Sequence, residues 1–357
     1  MNVPLSDPRP DVGWFLDVVA GRKPISERPP LVEYIVDDAV MRPILENLGV
    51  RWVSHGAPGY WDNFVAFWQR MGYDFVRYEV SPPYPTRIRE GEDPNAADGR
   101  RRWAETGKGP IQNWDDYERY PWPDVPDALF KPFEAIAARL PEGMGLVACH
   151  AAGIFEHVSE LFGYETLCLM LYDDPALVEA VCEAVGSRMV RFYEKLLQLD
   201  ALVAVFQGDD MGHRSGTLIS PEHLRRFFLP WHRKFAEMAH ASGRPYYLHS
   251  CGNVVPIMDD LIDSVGIDAK HSFEDAILPA DEFHRRYHNR VATLGGVDVN
   301  VLANGSEKEV RETVRRLVDA CAPLGRFALG SGNSIPSYVP VQNYLAMIDE
   351  ALRPVGS

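Results

Sequence analysis

Residues 245–253 read PYYLHSCGN. An apolar and aromatic run, long enough for one buried strand, ends in a histidine and a cysteine two positions apart. Residues 201–213, ALVAVFQGDDMGH, repeat the arrangement: a β-branched run opens into Gln207, Asp209, Asp210 and His213. Six more apolar runs can be read outward from these two. They are LVEYIV (31–36), DFVRYEV (74–80), GLVACHA (145–151), IDAKHSF (267–273), VATLGGV (291–297) and RFALGSG (326–332). Amphipathic helical stretches separate them. Eight strands alternating with helices predict an α/β fold, a (β/α)8 TIM barrel. A doubly wound open sheet is the alternative.

The helices carry their own punctuation. Ser220 precedes Pro221, an N-cap followed by proline at the first helical position, and Gly243 closes that helix. Ser306 and Glu309 form a capping box. Val310, Val314, Leu317 and Cys321 then recur at helical spacing, which puts Cys321 on the buried stripe as a small apolar residue. Cys168 and Cys182 read the same way.

One segment breaks the alternation. Residues 81–143 are rich in Pro, Gly, Arg and Trp. A connection this long is a functional loop or a subdomain. It follows the second strand, so in a barrel it caps the C-terminal mouth, with Trp103, Trp114 and Trp122 as apolar anchors. The plain alternative is a surface excursion. The chain, 1–357, is otherwise read as one barrel domain.

Bulk composition excludes several classes. The net charge of −15 speaks against a nucleic-acid partner. No stretch nears the ~18 uninterrupted apolar residues of a membrane span, and the start lacks a signal-peptide pattern. The five cysteines are odd in number and not spaced as a disulfide framework, which predicts thiols in a reducing cytoplasm.

Barrel sites form where strands end and loops begin. The third run ends at His150, with Glu156 just beyond. The fourth ends in Gln207, Asp209 and Asp210, and the fifth in His249 and Cys251. The sixth ends in His271 and Glu274, the seventh leads through Gly295-Gly296 to Asp298, and the eighth ends in Ser331 and Asn333. Their concentration at one rim is the signal. Residues two apart on a strand share a side, so His249 and Cys251 can face one point. An imidazole and a thiolate together suit Zn2+. The bland alternative is a buried histidine with a chance cysteine nearby. Asp209 and Asp210 are adjacent, so one faces the cavity and the other caps the following loop; aspartates after strands are often only turn formers. Gly295-Gly296 is a turn before it is an anion site.

These stretches resemble the uroporphyrinogen decarboxylase superfamily, and within it the cobalamin-dependent methyltransferases. The matching segments are QGDDMGHRSGTLISPEHLRRFFLPWHRKFAEMAH (207–240), YYLHSCGNV (246–254), DAKHSFED (268–275), LGGVDVNVL (294–302) and FALGSGNSIP (327–336). The resemblance implies a TIM barrel and a zinc site on His249 and Cys251. It implies methyl transfer between a small methylated substrate, such as an aryl methyl ether undergoing O-demethylation, and the cobalt of a cobalamin carried by a corrinoid-binding partner protein. A homodimer is the assembly it suggests.

Two departures stand out. The coenzyme M methyltransferases place a third cysteine ligand after the last strand, where this chain has Gly330-Ser331-Gly332-Asn333-Ser334. Either the third ligand is a carboxylate or imidazole from another strand end, with Glu274, His271 and Asp210 unranked, or the metal is weak or absent. The decarboxylases' N-terminal arginine motif is also missing from YIVDDAVMRPILENLG. On the methyltransferase reading Asp209, Asp210 or Glu274 serves as general acid or ligand. His150, Glu156, Gln207, His271, Asp298 and Asn333 face the substrate. The competing readings are a decarboxylase and a non-catalytic corrinoid or small-molecule binder.

Overall fold

The computed structural model describes residues 3–86, 88–92, 100–104 and 107–356, with backbone alone for 88–92 and 100–104. Seven parallel strands form one sheet in chain order. They are β1 (Phe75–Val80), β2 (Gly145–His150), β3 (Leu202–Gly208), β4 (Tyr246–His249), β5 (Ala269–His271), β6 (Ala292–Leu294) and β7 (Phe327–Ala328). Helices cover the outside, so the strands are buried on both faces and read as continuous apolar runs. All six residues of β2 and all four of β4 are buried.

The run at 31–36 departs from expectation. It forms no regular strand, only single parallel bridges from Leu31 to Leu329 and from Val36 to Ile335. The cause lies in its partner. β7 is two residues long and gives way to the Gly330-Ser331-Gly332 loop, so no continuous ladder is available. The segment still lies beside β7, and its Tyr34 hydroxyl reaches Glu79 on β1 at 3.2 Å. The sheet is TIM-barrel-like.

Local signals act as expected. Ser306 and Glu309 form a reciprocal capping box on helix Glu307–Cys321. That helix buries Val310, Val314, Leu317 and Cys321, each such side chain contributing roughly 2 kcal/mol of apolar burial. Ser220 caps its helix through the His223 N–H, and that helix runs through a π-helical turn, Leu224–Phe228, before ending ahead of Gly243. No helix among the described residues is long and apolar enough to cross a membrane.

Residues 81–143 contain an antiparallel hairpin, Ile88–Glu92 with Arg100–Ala104, and helices Trp114–Arg119 and Lys131–Ala137. One of the expected anchors differs. Trp114 is 43% exposed, because its indole N–H turns outward to Asp174 at 3.0 Å. The Trp103 side chain lies outside the described residues. Tyr84, Ile111 and Tyr120 are buried instead, and Trp122 packs under the Arg188 guanidinium.

Candidate functional site

β4 delivers His249 and Cys251 to one point, as alternation requires. Cys251 Sγ lies 3.4 Å from His249 Nε2. β3 brings the third group: Asp210 Oδ1 is 3.6 Å from the same nitrogen and accepts the Cys251 backbone N–H at 2.8 Å. The three ligand atoms lie within 4.8 Å of one another, a set that could hold a metal ion. Of the three candidates for a third ligand, Asp210 is the one in that set.

The hydrogen-bond chain behind His249 fixes its tautomer. His271 Nε2 faces the Ser331 carbonyl at 3.1 Å, which can only accept, so that nitrogen carries a proton. Burial pushes His271 down to about 3 and keeps it neutral. Its Nδ1 is therefore a lone pair, and His249 donates to it from Nδ1 across 2.7 Å. His249 is itself held neutral, its pKa driven well below the usual imidazole value by burial, then by His271 and Arg77. Its Nε2 lone pair then points at Cys251 and Asp210. The imidazole presents the atom a metal takes, with the other nitrogen oriented by a fixed partner.

The thiol is protonated in this state. Burial and then the Asp210 carboxylate push Cys251 up to about 12. Asn333 Nδ2 donates to its sulfur at 3.1 Å. Lys270 is buried at β5 with its ammonium on the Ser272 carbonyl and over the Phe273 ring. Burial brings it down to about 8, against the pull of Cys251, Glu274 and Asp210.

Tyr34 stacks on the His249 ring, centroids 4.0 Å apart and planes 12° apart. The Arg77 guanidinium lies 3.6 Å from the same Tyr34 ring and pairs with Glu79 at 2.5 Å. A cation, a phenol and an imidazole thus form one buried stack.

The other sequence-derived residues take different places. Asp209 is buried, accepts the Phe155 and Glu156 N–H groups at 3.0 Å, and pairs with His232 at 2.7 Å. It caps the helix after β2 and faces away from Cys251. Glu156 closes that cap on the Gly153 N–H at 2.9 Å. Its pKa is raised well above the usual range by burial, then by Asp209 and Asp210. Gln207 is buried and ties β3 to the His150 and Ala152 carbonyls at 3.1 and 3.0 Å. His150 is buried on the Ala152 carbonyl at 3.2 Å, its Nε2 without a partner among the described residues. Asp298 spends both oxygens on the Asn300 and Asp275 N–H groups. Glu274, Asp298 and Asn333 line a cavity of about 820 Å³, within the range of small-ligand pockets. Asn333 links that cavity to the cysteine sulfur.

Gly295 is placed by packing. A β-carbon there would lie 2.1 Å from the Ser331 carbonyl and 2.9 Å from His271. Only glycine lets β6 approach the chain that orients His249.

The uroporphyrinogen decarboxylase (URO-D) profile matches residues 105–353. The chain belongs to the uroporphyrinogen decarboxylase (URO-D) family. Over 195 residues it is 26% identical to the methylated-thiol–coenzyme M methyltransferase of Methanosarcina mazei, covering 54% of this chain and 49% of that protein. The match thus spans about half the length of the curated relative. In three dimensions this URO-D family member is similar to a solved methyltransferase from Methanosarcina mazei, with a TM-score of 0.73 and 16% identity over 96% of this chain and 98% of that one. That likeness shows the fold.

Glu33, Tyr34, Arg77, Glu79 and Lys270 were not singled out from the sequence. Their signal was present: each is a polar or phenolic residue inside an apolar run, in LVEYIV, DFVRYEV and IDAKHSF. In a strand buried on both faces such a residue needs a partner.

Proposed function

We propose that this chain is a zinc-assisted, corrinoid-dependent methyltransferase, with Asp210, His249 and Cys251 as the metal ligands. The carrying observation is the group of three donor atoms together with the fixed His249 tautomer. One imidazole nitrogen, one sulfur and one carboxylate oxygen suit Zn2+, and three protein ligands leave it a place for a substrate atom. When bound, zinc makes a thiol a thiolate at neutral pH or withdraws charge from a leaving oxygen.

The chain's own residues prepare that place. His271 orients His249. Asn333 donates to the Cys251 sulfur and steadies its negative charge once the proton is gone. Lys270 adds a positive charge behind the strand end. Asp209, held by His232 and two backbone N–H groups, positions the β3 terminus that carries Asp210. Glu274, Asp298 and Asn333, on the large cavity, would meet the small methylated substrate, with His150, Glu156 and Gln207 holding the wall behind. An aryl methyl ether is one substrate of the right kind.

Residues 81–143 act as a cap within a single barrel domain. Support comes from Tyr84, which packs on His157 at 4.4 Å and faces His150 at the C-terminal end of β2. The methyl partner is a separate corrinoid protein, as the resemblance to the cobalamin-dependent methyltransferases implies. The place of action is the cytoplasm, as the free thiols suggest.

The test is metal content by elemental mass spectrometry, with methyl transfer from methylcobalamin followed by visible absorbance. Near-stoichiometric zinc that is lost in Asp210→Ala, His249→Ala and Cys251→Ala, together with transfer, supports the reading. A protein that stays metal-free when zinc is supplied, yet retains activity on a carboxylated substrate, would put decarboxylation in its place.

A further inference from the structure

A second cavity, of about 300 Å³, opens beside the metal group. Tyr34, Tyr60, Phe64 and Tyr78 supply its aromatic walls, and Asp37 and Asp38 stand on its rim. Tyr34 is shared: the ring that lines this cavity is the one stacked on His249. The cavity therefore lies at the same end of the barrel as the proposed reaction.

Its charge is uneven. Arg77 lies in the wall, but Glu79 neutralises it. Asp37 and Asp38 have no Lys or Arg in ion-pair contact among the described residues. Asp38 accepts the Tyr60 hydroxyl at 2.9 Å, and Asp37 accepts the Ser337 N–H at 2.8 Å. Both carboxylates are thus held in place beside the rings, and their repulsion is unrelieved. Burial raises the Asp37 pKa, against the Ser337 N–H, and the Asp38 charge adds a smaller push in the same direction.

Ring faces carry negative potential, and together with carboxylates they favour a cation that is bulky and weakly hydrated. A metal ion or a primary ammonium would lose hydration that phenyl faces cannot replace. A carboxylated aromatic acid would meet two carboxylates. We infer that this cavity binds a methylated onium group, a quaternary ammonium or a sulfonium, lodged among Tyr60, Phe64 and Tyr78 and balanced by Asp37 and Asp38, with Tyr34, whose faces are taken by His249 and Arg77, closing the wall toward the metal group. This rests on the methyltransferase reading in one respect, that the onium group is the methylated head of the small substrate; it moves that head out of the large cavity, whose Glu274, Asp298 and Asn333 would then meet the remainder of the molecule. The C–N or C–S bond breaks with its electron pair left on the heteroatom. A neutral amine or thioether leaves, and the methyl group goes to the two-electron nucleophile of the corrinoid partner.

The experiment is calorimetric titration of the full chain with choline, with trimethylsulfonium, and with 3,3-dimethyl-1-butanol, the neutral isostere of choline. Anisole serves as the aryl ether probe. Choline should bind at least roughly tenfold more tightly than its isostere. Asp38→Asn, which preserves shape, should remove most of that preference, as should Tyr60→Leu. Choline binding should survive in His249→Ala, where the metal is lost. Equal binding of choline and its isostere would overturn the inference, as would an Asp38→Asn protein that binds choline like wild type. Anisole binding without choline binding would also overturn it, while leaving the methyltransferase reading with an aryl ether substrate. If the chain binds choline but neither zinc nor methyl groups, the onium site stands and the methyltransferase reading falls. Trimethylsulfonium against choline then distinguishes the two onium sources.

Discussion

His249 and His271 meet nitrogen to nitrogen at the ends of β4 and β5, their Nδ1 atoms 2.7 Å apart. With the Ser331 carbonyl behind His271, the proton order along the chain has one solution, and it leaves His249 Nε2 bare toward Cys251 and Asp210. Replacing His271 by Phe keeps the ring and removes the acceptor. His249 then has a buried N–H with no partner and is free to turn. Zinc affinity should fall by roughly 10–100-fold, alongside a stability loss of about 1–3 kcal/mol from the unpaired N–H. Competition against a chromophoric chelator measures it. An unchanged affinity would show that the relay does not orient the ligand.

Zinc binding should also release protons. The Cys251 thiol is pushed up to about 12 and is protonated at neutral pH, while His249 is already neutral. Coordination needs the thiolate, so about one proton leaves the cysteine per zinc. Below the thiol pKa the apparent affinity then rises about tenfold per pH unit. Calorimetry in two buffers of different ionisation heat counts the protons. Cys251→Ser should bind zinc more weakly and without this release.

How much of this could be read beforehand depends on the range of each interaction. The seven paired strands and the capped helices follow from local periodicity, which the chain states plainly. The HSC triplet needs only the two-residue alternation of one strand, so His249 and Cys251 were visible as a pair. Choosing Asp210 over Glu274 and His271 needed the register of three neighbouring strands, which no spacing specifies. The Arg77–Tyr34–His249 stack joins two strands and the 31–36 segment, far apart in the chain, and only closure of the sheet brings them together. The 31–36 run looked like a full strand because its apolar content reports burial; the brevity of β7, which limits its pairing, is set by the glycine-rich loop after it.

Stability should depend on pH through Glu33. Burial raises its pKa to about 8, against opposition from the Ser331 hydroxyl, the Ser331 N–H and the Tyr34 N–H. The folded chain holds this proton and the unfolded chain releases it near 4.5. Its stabilising contribution is therefore complete below about pH 4.5 and is lost as pH rises through about 8. His150, His157 and His271 act oppositely: burial lowers each to about 4, 3 and 3, so their contribution is complete above 6.5 and is lost on acidification. Glu33→Gln should flatten the alkaline limb and move the stability maximum upward, by an amount of the order of a few kcal/mol at pH 8. Urea midpoints from pH 5 to 8.5 test this; parallel curves for the two proteins would rule Glu33 out as the titrating group.

Gly252, next to Cys251, carries two separate constraints. Its φ is +74°, a conformation that side chains rarely adopt. A β-carbon there would also lie 2.3 Å from the Gly212 carbonyl carbon and 2.6 Å from the His213 nitrogen, both backbone. Gly243 separates the two effects, because it has φ +76° with nothing among the described residues within 4 Å of an added β-carbon. Gly243→Ala should cost only the left-handed conformation, about 1 kcal/mol. Gly252→Ala should cost that and the displacement of a packed strand end, about 2–4 kcal/mol in all. The displacement also carries Cys251 away from His249, so zinc content should fall in this variant and stay normal in Gly243→Ala. Thermal melts and elemental analysis of the two proteins decide the matter. Equal destabilisation with full zinc in both would mean that the loop at 212–213 yields, and that the turn after Cys251 is fixed by its own φ alone.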